Sequence, residues 1–203
     1  MKLAIILGST RPGRHSAKLA EWVVNNAKGV EGAKVELLDL QDYPLPFFDE
    51  EASPRFNPER HPNEAAKKWL AKLEEFEAYI IVTPEYNHSI PAVLKNALDY
   101  IDWQVKYKPF AIVSHGSAGG ARAASHLKHV ISEIRAVVIP TNLALTMRVS
   151  ETFDENGTAS EEVAERLAGP SATLQALLAE LEWFSDALME AKTKTKKFIN
   201  SSM

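Results

Sequence analysis

No cysteine occurs anywhere in the chain, which excludes disulfides, thiolate nucleophiles, Cys-ligated zinc and iron–sulfur clusters. A strong positive balance is missing as well. Asp and Glu number 27 against 23 Lys and Arg, for a net charge of -4, so no domain-wide positive field exists to hold a nucleic acid. Long apolar runs are lacking: the first, Leu3–Leu7, follows Met1-Lys2 directly and stops at Gly8, far short of a signal peptide's apolar region or a membrane span. These absences predict a cytoplasmic protein with neither a nucleic-acid nor a membrane partner. No repeat of fixed period stands out either, which removes the solenoid architectures.

What is present fits one ordinary globular domain. Of the 203 residues, 45% are hydrophobic and 25% charged, enough to bury a packed core and too apolar for a disordered chain. Short apolar runs alternate with amphipathic stretches, the pattern of strand, crossover helix and parallel strand. The expected strands are Leu3–Leu7, Val35–Leu38, Tyr79–Val82, Phe110–Ser114 and Val137–Ile139; they lack polar alternation, as strands covered on both faces do. Helices are expected near Ser16–Ala27, Asn63–Glu75, Pro91–Ile101, Gly120–Ile134 and Ser160–Ala191. The reading is therefore a three-layer α/β fold with a five-stranded parallel sheet and helices on both faces. Residues 1–191 form its single domain, and the Lys-, Thr- and Ser-rich segment 192–203 is a flexible basic tail. Two stretches break the rhythm, the Pro-rich Tyr43–His61 and Thr141–Thr158, and both are expected as long loops.

Right-handed crossovers permit the flavodoxin-like strand order 2-1-3-4-5, whose switch point puts a ligand beyond the carboxyl ends of strands one, three and four. The loops there are Gly8–Ser16, Thr83–Ser89 and His115–Arg122. A loop that leaves a strand and enters a helix directs free N–H groups and the positive end of the helix dipole at one spot, where an anion fits. Ser9, Thr10 and Ser16 add hydroxyls, Arg11 or Arg14 a guanidinium, and no acid lies in the loop. Gly8 and Gly13 have P-loop spacing, but Arg14 and His15 replace the Lys and the magnesium-binding hydroxyl. Asp39 ends the second strand as a ribose-binding acid would, yet the Gly triplet of a dinucleotide site is missing. A monophosphate cradle remains.

Pro84-Glu85-Tyr86-Asn87 supplies stiff backbone and a polar cluster suited to the edge of a flat heterocycle, with Tyr86 available to pack on it. In the third loop Gly116, Gly119 and Gly120 allow close backbone approach, and His115 stands where a nucleophile elbow would need Gly before Ser117. Each loop also has a plain reading as a turn before a capped helix. His115 reads first as a strand-end residue, and His126 and His129 as a solvated helix face. Trp22, Trp69, Trp103 and Trp183 belong to core or interface, Trp103 being the candidate for an interface.

Taken together, Gly8-Ser9-Thr10-Arg11 through Ser16, Pro84–Pro91 (PEYNHSIP), Leu94–Asp99 (LKNALD) and Gly116–Arg122 (GSAGGAR) resemble the NADPH-dependent FMN reductases over roughly residues 1–150. That family includes quinone, azo and chromate reductases. The resemblance implies that Ser9, Arg11 and Ser16 hold the FMN phosphate, that Pro84, Glu85, Tyr86 and Asn87 flank the isoalloxazine, and that Ser117 and Gly119 close the other side. It further implies an oxidoreductase in which NADPH or NADH gives hydride to flavin N5 and a small acceptor collects it in ping-pong fashion. The flavin would carry the chemistry, so no catalytic side chain is named. A homodimer or homotetramer is implied too, with the third helix as the contact. The rival readings are an FMN-binding electron carrier and a redox-sensing binding module without direct NAD(P)H turnover.

Overall fold

The run Leu3-Ala4-Ile5-Ile6-Leu7 has no polar residue to turn toward water, so a strand built from it must be covered on both faces. The computed structural model, which describes residues 1–57 and 59–194, makes it the body of β1 (Lys2–Leu7). β2 (Lys34–Asp39) and β3 (Ala78–Pro84) flank it in parallel, with Leu7 opposite both Asp39 and Val82. β4 (Pro109–His115) follows β3, and β5 (Val137–Val138) closes the order β2-β1-β3-β4-β5. The expected order is the observed one.

Alternate side chains of the strands feed two cores. Leu3, Ile5, Leu7, Ile80, Val82 and Val113 pack under α1 (Ser16–Ala27) and later helices, while Ala4, Ile6, Tyr79, Ile81 and Ile112 pack under α2 (Glu64–Glu74), α3 (Ala92–Asp99) and α4 (Ala121–Glu133). Trp69 of α2 is fully buried, and its indole N–H donates to the Ala97 carbonyl of α3 at 2.9 Å, so one side chain ties two helices on that face. Trp22 is buried against Phe153, 5.2 Å between rings, whereas Trp103 and Trp183 are exposed.

A sixth strand departs from expectation. β6 (Leu143–Leu145) pairs with the carboxyl end of β4, so the edge is one strand in two pieces: Ile139 to Asn142 stand opposite only Ala111 and Ile112. Pro140 lies in the interruption and has no N–H to give the ladder. Three residues are too few to declare a strand by periodicity. The rest of the expected loop holds α5 (Val149–Thr152) and a turn, and α6 (Glu161–Lys194) then runs 34 residues, about 50 Å at 1.5 Å per residue. Leu174, Leu177, Leu178 and Leu181 are its buried stripe, and Pro170 sits inside it without ending it. The tail expected at 192–203 begins within α6; residues 195–203 lie outside the described residues. No helix among the described residues is long and apolar enough to cross a membrane.

The Pro-rich segment is fastened over α3 rather than left free. Asn96 accepts from the Phe48 N–H at 2.8 Å and donates to the Pro46 carbonyl at 2.7 Å. Arg60, nearly buried, donates to the Tyr100 carbonyl at 2.7 Å and pairs with Glu50 and Asp102. The Asn96 bonds and those of Arg60 to Tyr100 and Asp102 tie the segment to the α3 region, and Pro54–Phe56 within it forms a 3₁₀ turn.

The turn after α5 docks on α1 at Gly157. Asp154 accepts from the N–H groups of Asn156 and Thr158, Asn25 donates to the Asn156 carbonyl, and a Cβ on Gly157 would stand 2.2 Å from the Trp22 nitrogen at a φ of +73°. Gly157→Ala is therefore expected to lower stability by about 3 kcal/mol, through clash and left-handed strain together. Urea unfolding measures it, and an unchanged midpoint would mean that this turn does not need its place on α1.

Candidate functional site

The carboxyl ends of β1, β3 and β4 lie side by side, and the three loops leaving them meet there. The first loop departs between β1 and β3, its Gly8 N–H donating to the Val82 carbonyl at 2.9 Å. Ser9 is fully buried and its hydroxyl lies 2.8 Å from that of Tyr86, so it links the first loop to the second. Arg11 places its guanidinium 6.0 Å from the centre of the Tyr86 ring. Arg14 pairs through Nη2 with Asp39 at the end of β2, and Asp39 also accepts from the Gln41 N–H at 2.9 Å. Gln41 in turn donates to the Thr10 carbonyl at 3.1 Å. The segment after β2 thus grips the loop at both ends.

A cavity of about 170 Å³ opens between these loops, walled by Arg11, Arg14, Ser16, Pro84, Tyr86 and His115. Two of its features are unfinished. Arg14 Nη1 is buried with no hydrogen-bond partner, and α1 has His15 at its N-cap with no side chain capping its first turn. Free N–H groups at a helix N-terminus and an orphaned guanidinium N–H both call for an anion. A 5′-phosphate group has the charge and acceptors to satisfy them, so the donor set fits FMN. A second cavity, about 120 Å³ beneath the Pro-rich segment, takes its lining from Ser53–Arg55, the end of α3 and residues 133–135, with nothing from the three loops.

The second loop is a tight turn. Tyr86 and Ser89 exchange both backbone hydrogen bonds at 2.9 Å, and Asn87 and His88 take left-handed φ of 49° and 64° at the exposed tip. Asn tolerates that conformation better than most residues. Glu85 turns its carboxylate to α4, accepting from the Arg122 N–H at 3.0 Å, the Ala123 N–H at 3.3 Å and the Arg122 guanidinium at 3.2 Å. Burial would raise its pKa, but these bonds outweigh it and hold the carboxyl below its usual value. Ser89 adds a second tie to α4, 2.6 Å from His126 Nδ1.

In the third loop Ser114 donates to the Gly119 carbonyl at 2.7 Å, Gly119 is buried where a Cβ would crowd Ala144 and Thr146, and Ser117 is exposed. Gly120, with φ +73°, leads into α4 where a Cβ would stand 2.9 Å from the His115 carbonyl oxygen. His115 closes the gap between this loop and the first: its Nε2 lies 2.8 Å from the hydroxyl of Ser16, itself buried. Burial, and after it the nearby His15, lowers the imidazole pKa to about 4.

Of the residues expected from sequence, Arg11, Ser16, Pro84 and Tyr86 wall the cavity, Ser9 sits behind it, and Asn87 and Ser117 stand at exposed loop tips. Glu85 faces α4 and Gly119 the β6 segment. Arg14, expected only as an alternative to Arg11 for the guanidinium, and His115, expected as a strand-end residue, both wall the cavity. For Arg14 the signal was its place in an acid-free loop beside Asp39; for His115 no sequence signal distinguished it from a strand-end residue.

Glu85 yields a signed expectation. A carboxyl held below its unfolded pKa contributes stability that is complete above the ordinary carboxylate value and fades as pH falls through the lowered one. Glu85→Gln should thus be less stable than the parent at about pH 7 and approach it as pH falls below the lowered pKa, read from urea midpoints across that range. An equal deficit throughout would mean the charge is irrelevant to the cap.

The chain matches the family model described as NADPH-dependent FMN reductase over residues 1–149. It is 38% identical over 146 residues to an NAD(P)H-dependent FMN reductase of Schizosaccharomyces pombe, covering 72% of this chain and 73% of that one. An NAD(P)H:quinone oxidoreductase of Solanum tuberosum is 31% identical over 192 residues, 90% of this chain and 95% of the relative. Among solved structures, the flavoenzyme NAD(P)H:(acceptor) oxidoreductase FerB of Paracoccus denitrificans shares the fold with a TM-score of 0.71 at 22% identity, over 90% of this chain and 98% of that one. The family match spans the sheet from β1 to β6 together with all three loops, and by it this chain belongs to the NADPH-dependent FMN reductases.

Proposed function

We propose that this oxidoreductase holds FMN with its phosphate at the N-terminus of α1 and passes reducing equivalents from NADPH or NADH to a small acceptor. The single observation that carries the placement is the buried, unpartnered Nη1 of Arg14 beside an uncapped helix. When bound, FMN supplies hydride and single-electron transfer, chemistry that no side chain of the chain possesses. The protein's part is binding and orientation. Arg11, Arg14 and Ser16 take the phosphate, with Ser9 holding Tyr86 in place behind them. Pro84, Tyr86 and Asn87 border the ring, and Glu85 serves by fastening their turn to α4. Ser117 and Gly119 complete the opposite border from the third loop.

Quinones, free flavins, azo compounds and metal oxyanions are the acceptors we favour. Relatives bear the names quinone oxidoreductase and, in Staphylococcus haemolyticus, FMN-dependent NADPH-azoreductase. A homodimer or homotetramer is part of the proposal, supported by the exposure of Phe47 at 82% and Trp103 at 57%, which a subunit contact would relieve. We assign its work to the cytoplasm.

The test is spectroscopic. Protein loaded with FMN should lose its flavin absorbance when NADPH or NADH is added without oxygen, and regain it with a quinone. Bound flavin that neither nucleotide bleaches would favour an electron carrier, and a chain that takes up no FMN would overturn the cradle. Arg14→Gln should weaken FMN binding about tenfold or more while leaving riboflavin binding unchanged, since a hydrogen bond to a charged group is worth roughly 1.5–3 kcal/mol. Equal losses for both flavins would remove Arg14 from the phosphate.

A further inference from the structure

His115 walls the cavity, and the proposed function leaves its chemistry unused. Its backbone is fixed on all sides: Pro84 pairs with it across the β3–β4 ladder, its carbonyl accepts from the Glu85 N–H at 3.1 Å, and Gly120 packs on the same carbonyl. From this fixed backbone the ring reaches the first loop, where its Nε2 meets Ser16 Oγ at 2.8 Å. Ser16 opens α1, so its hydroxyl stands at the spot where the helix offers its free N–H groups.

The hydrogen-bond inventory of this pair admits two arrangements. A neutral imidazole has one N–H, and a serine hydroxyl has one donor and two acceptor sites. If Nδ1 carries the proton, Ser16 must donate to Nε2, and its oxygen then turns lone pairs toward the cavity. If Nε2 carries it, His115 donates to Ser16, and the serine hydrogen is left to point at a bound anion. The low pKa of His115, about 4, keeps the ring neutral near pH 7, so the choice between tautomers is a real one there.

We propose that His115 is a positioning residue for the phosphate site: in its Nε2–H form it donates to Ser16 and so commits the Ser16 hydroxyl as a donor to the anion. The idea rests on the reading of the α1 N-terminus as the FMN phosphate site. It makes phosphate binding and the tautomer of His115 two sides of one equilibrium, since an anion that accepts from Ser16 favours the form in which Ser16 need not donate elsewhere. It also distinguishes flavins, because riboflavin lacks the phosphate and has nothing to accept that hydrogen.

The experiment uses the full chain freed of flavin, with binding followed by quenching of flavin fluorescence. His115→Leu should weaken FMN about fivefold and riboflavin not at all, and His115→Gln, whose amide N–H₂ can still donate to Ser16, should keep most of the parent affinity. Ser16→Ala should cost about tenfold for FMN, and adding His115→Leu to it should cost little more, because the histidine acts through the serine. Nitrogen NMR of the parent protein, with the His115 signals identified by their loss in His115→Gln, should show Nε2 protonated once FMN is bound. Additive losses, an equal loss for riboflavin, or an Nδ1–H ring in the loaded protein would each overturn the proposal while leaving FMN binding intact. Failure of the parent to bind FMN would instead overturn the proposed function and this inference with it.

Discussion

The parallel strands β1, β3 and β4, buried on both faces, leave the chain one edge at which to do chemistry. Parallel pairing puts every carboxyl end on the same side, and each crossover helix must start there, so free helix N–H groups and loop backbone collect along a single line. The registers that set Leu7 against Val82 and Pro84 against His115 decide which loop residues meet. A slip of one residue in β4 would turn His115 away from Ser16 and send its buried side chains into the opposite core.

Along that edge the loops mostly satisfy one another. Glu85 caps α4, Ser9 meets Tyr86, Ser16 meets His115, and Ser114 holds the Gly119 carbonyl. Such mutual bonds stiffen the site before any ligand arrives, which reduces the ordering cost that binding must overcome. Against this background of completed bonds the exceptions gain meaning. Arg14 Nη1 is left without a protein partner and the first turn of α1 without a side-chain cap, and Arg14, His15 and Ser16 line the same cavity. The complementary charge has to come from the ligand.

Two unusual stretches support the edge from outside. The Pro-rich segment cannot form a ladder of its own, and it is fastened to α3 through Asn96, Tyr100 and Arg60 instead. The residues after β5 return to the sheet as β6, where Ala144 and Thr146 back the third loop at Gly119. α6 then covers the face beneath with Leu174, Leu177, Leu178 and Leu181.

By itself the sequence determined the fold class and the positions of the three loops, and permitted the strand order, because buried parallel strands must be apolar and their punctuation by Gly, Pro and Ser is local. It also marked Arg11, Ser16, Pro84 and Tyr86, whose residue types suit an anion and a flat ring wherever the loop leads. Only the tertiary structure decided what depends on partners far apart in the chain. Glu85 turned to a helix 37 residues away, Arg14 to Asp39 with its Nη1 left over, and His115 to a serine 99 residues distant. β6 likewise became a strand only by pairing with β4. Side-chain types and periodicities are written locally, whereas hydrogen-bond partners across a sheet edge are set by register and burial, which exist only once the chain has folded.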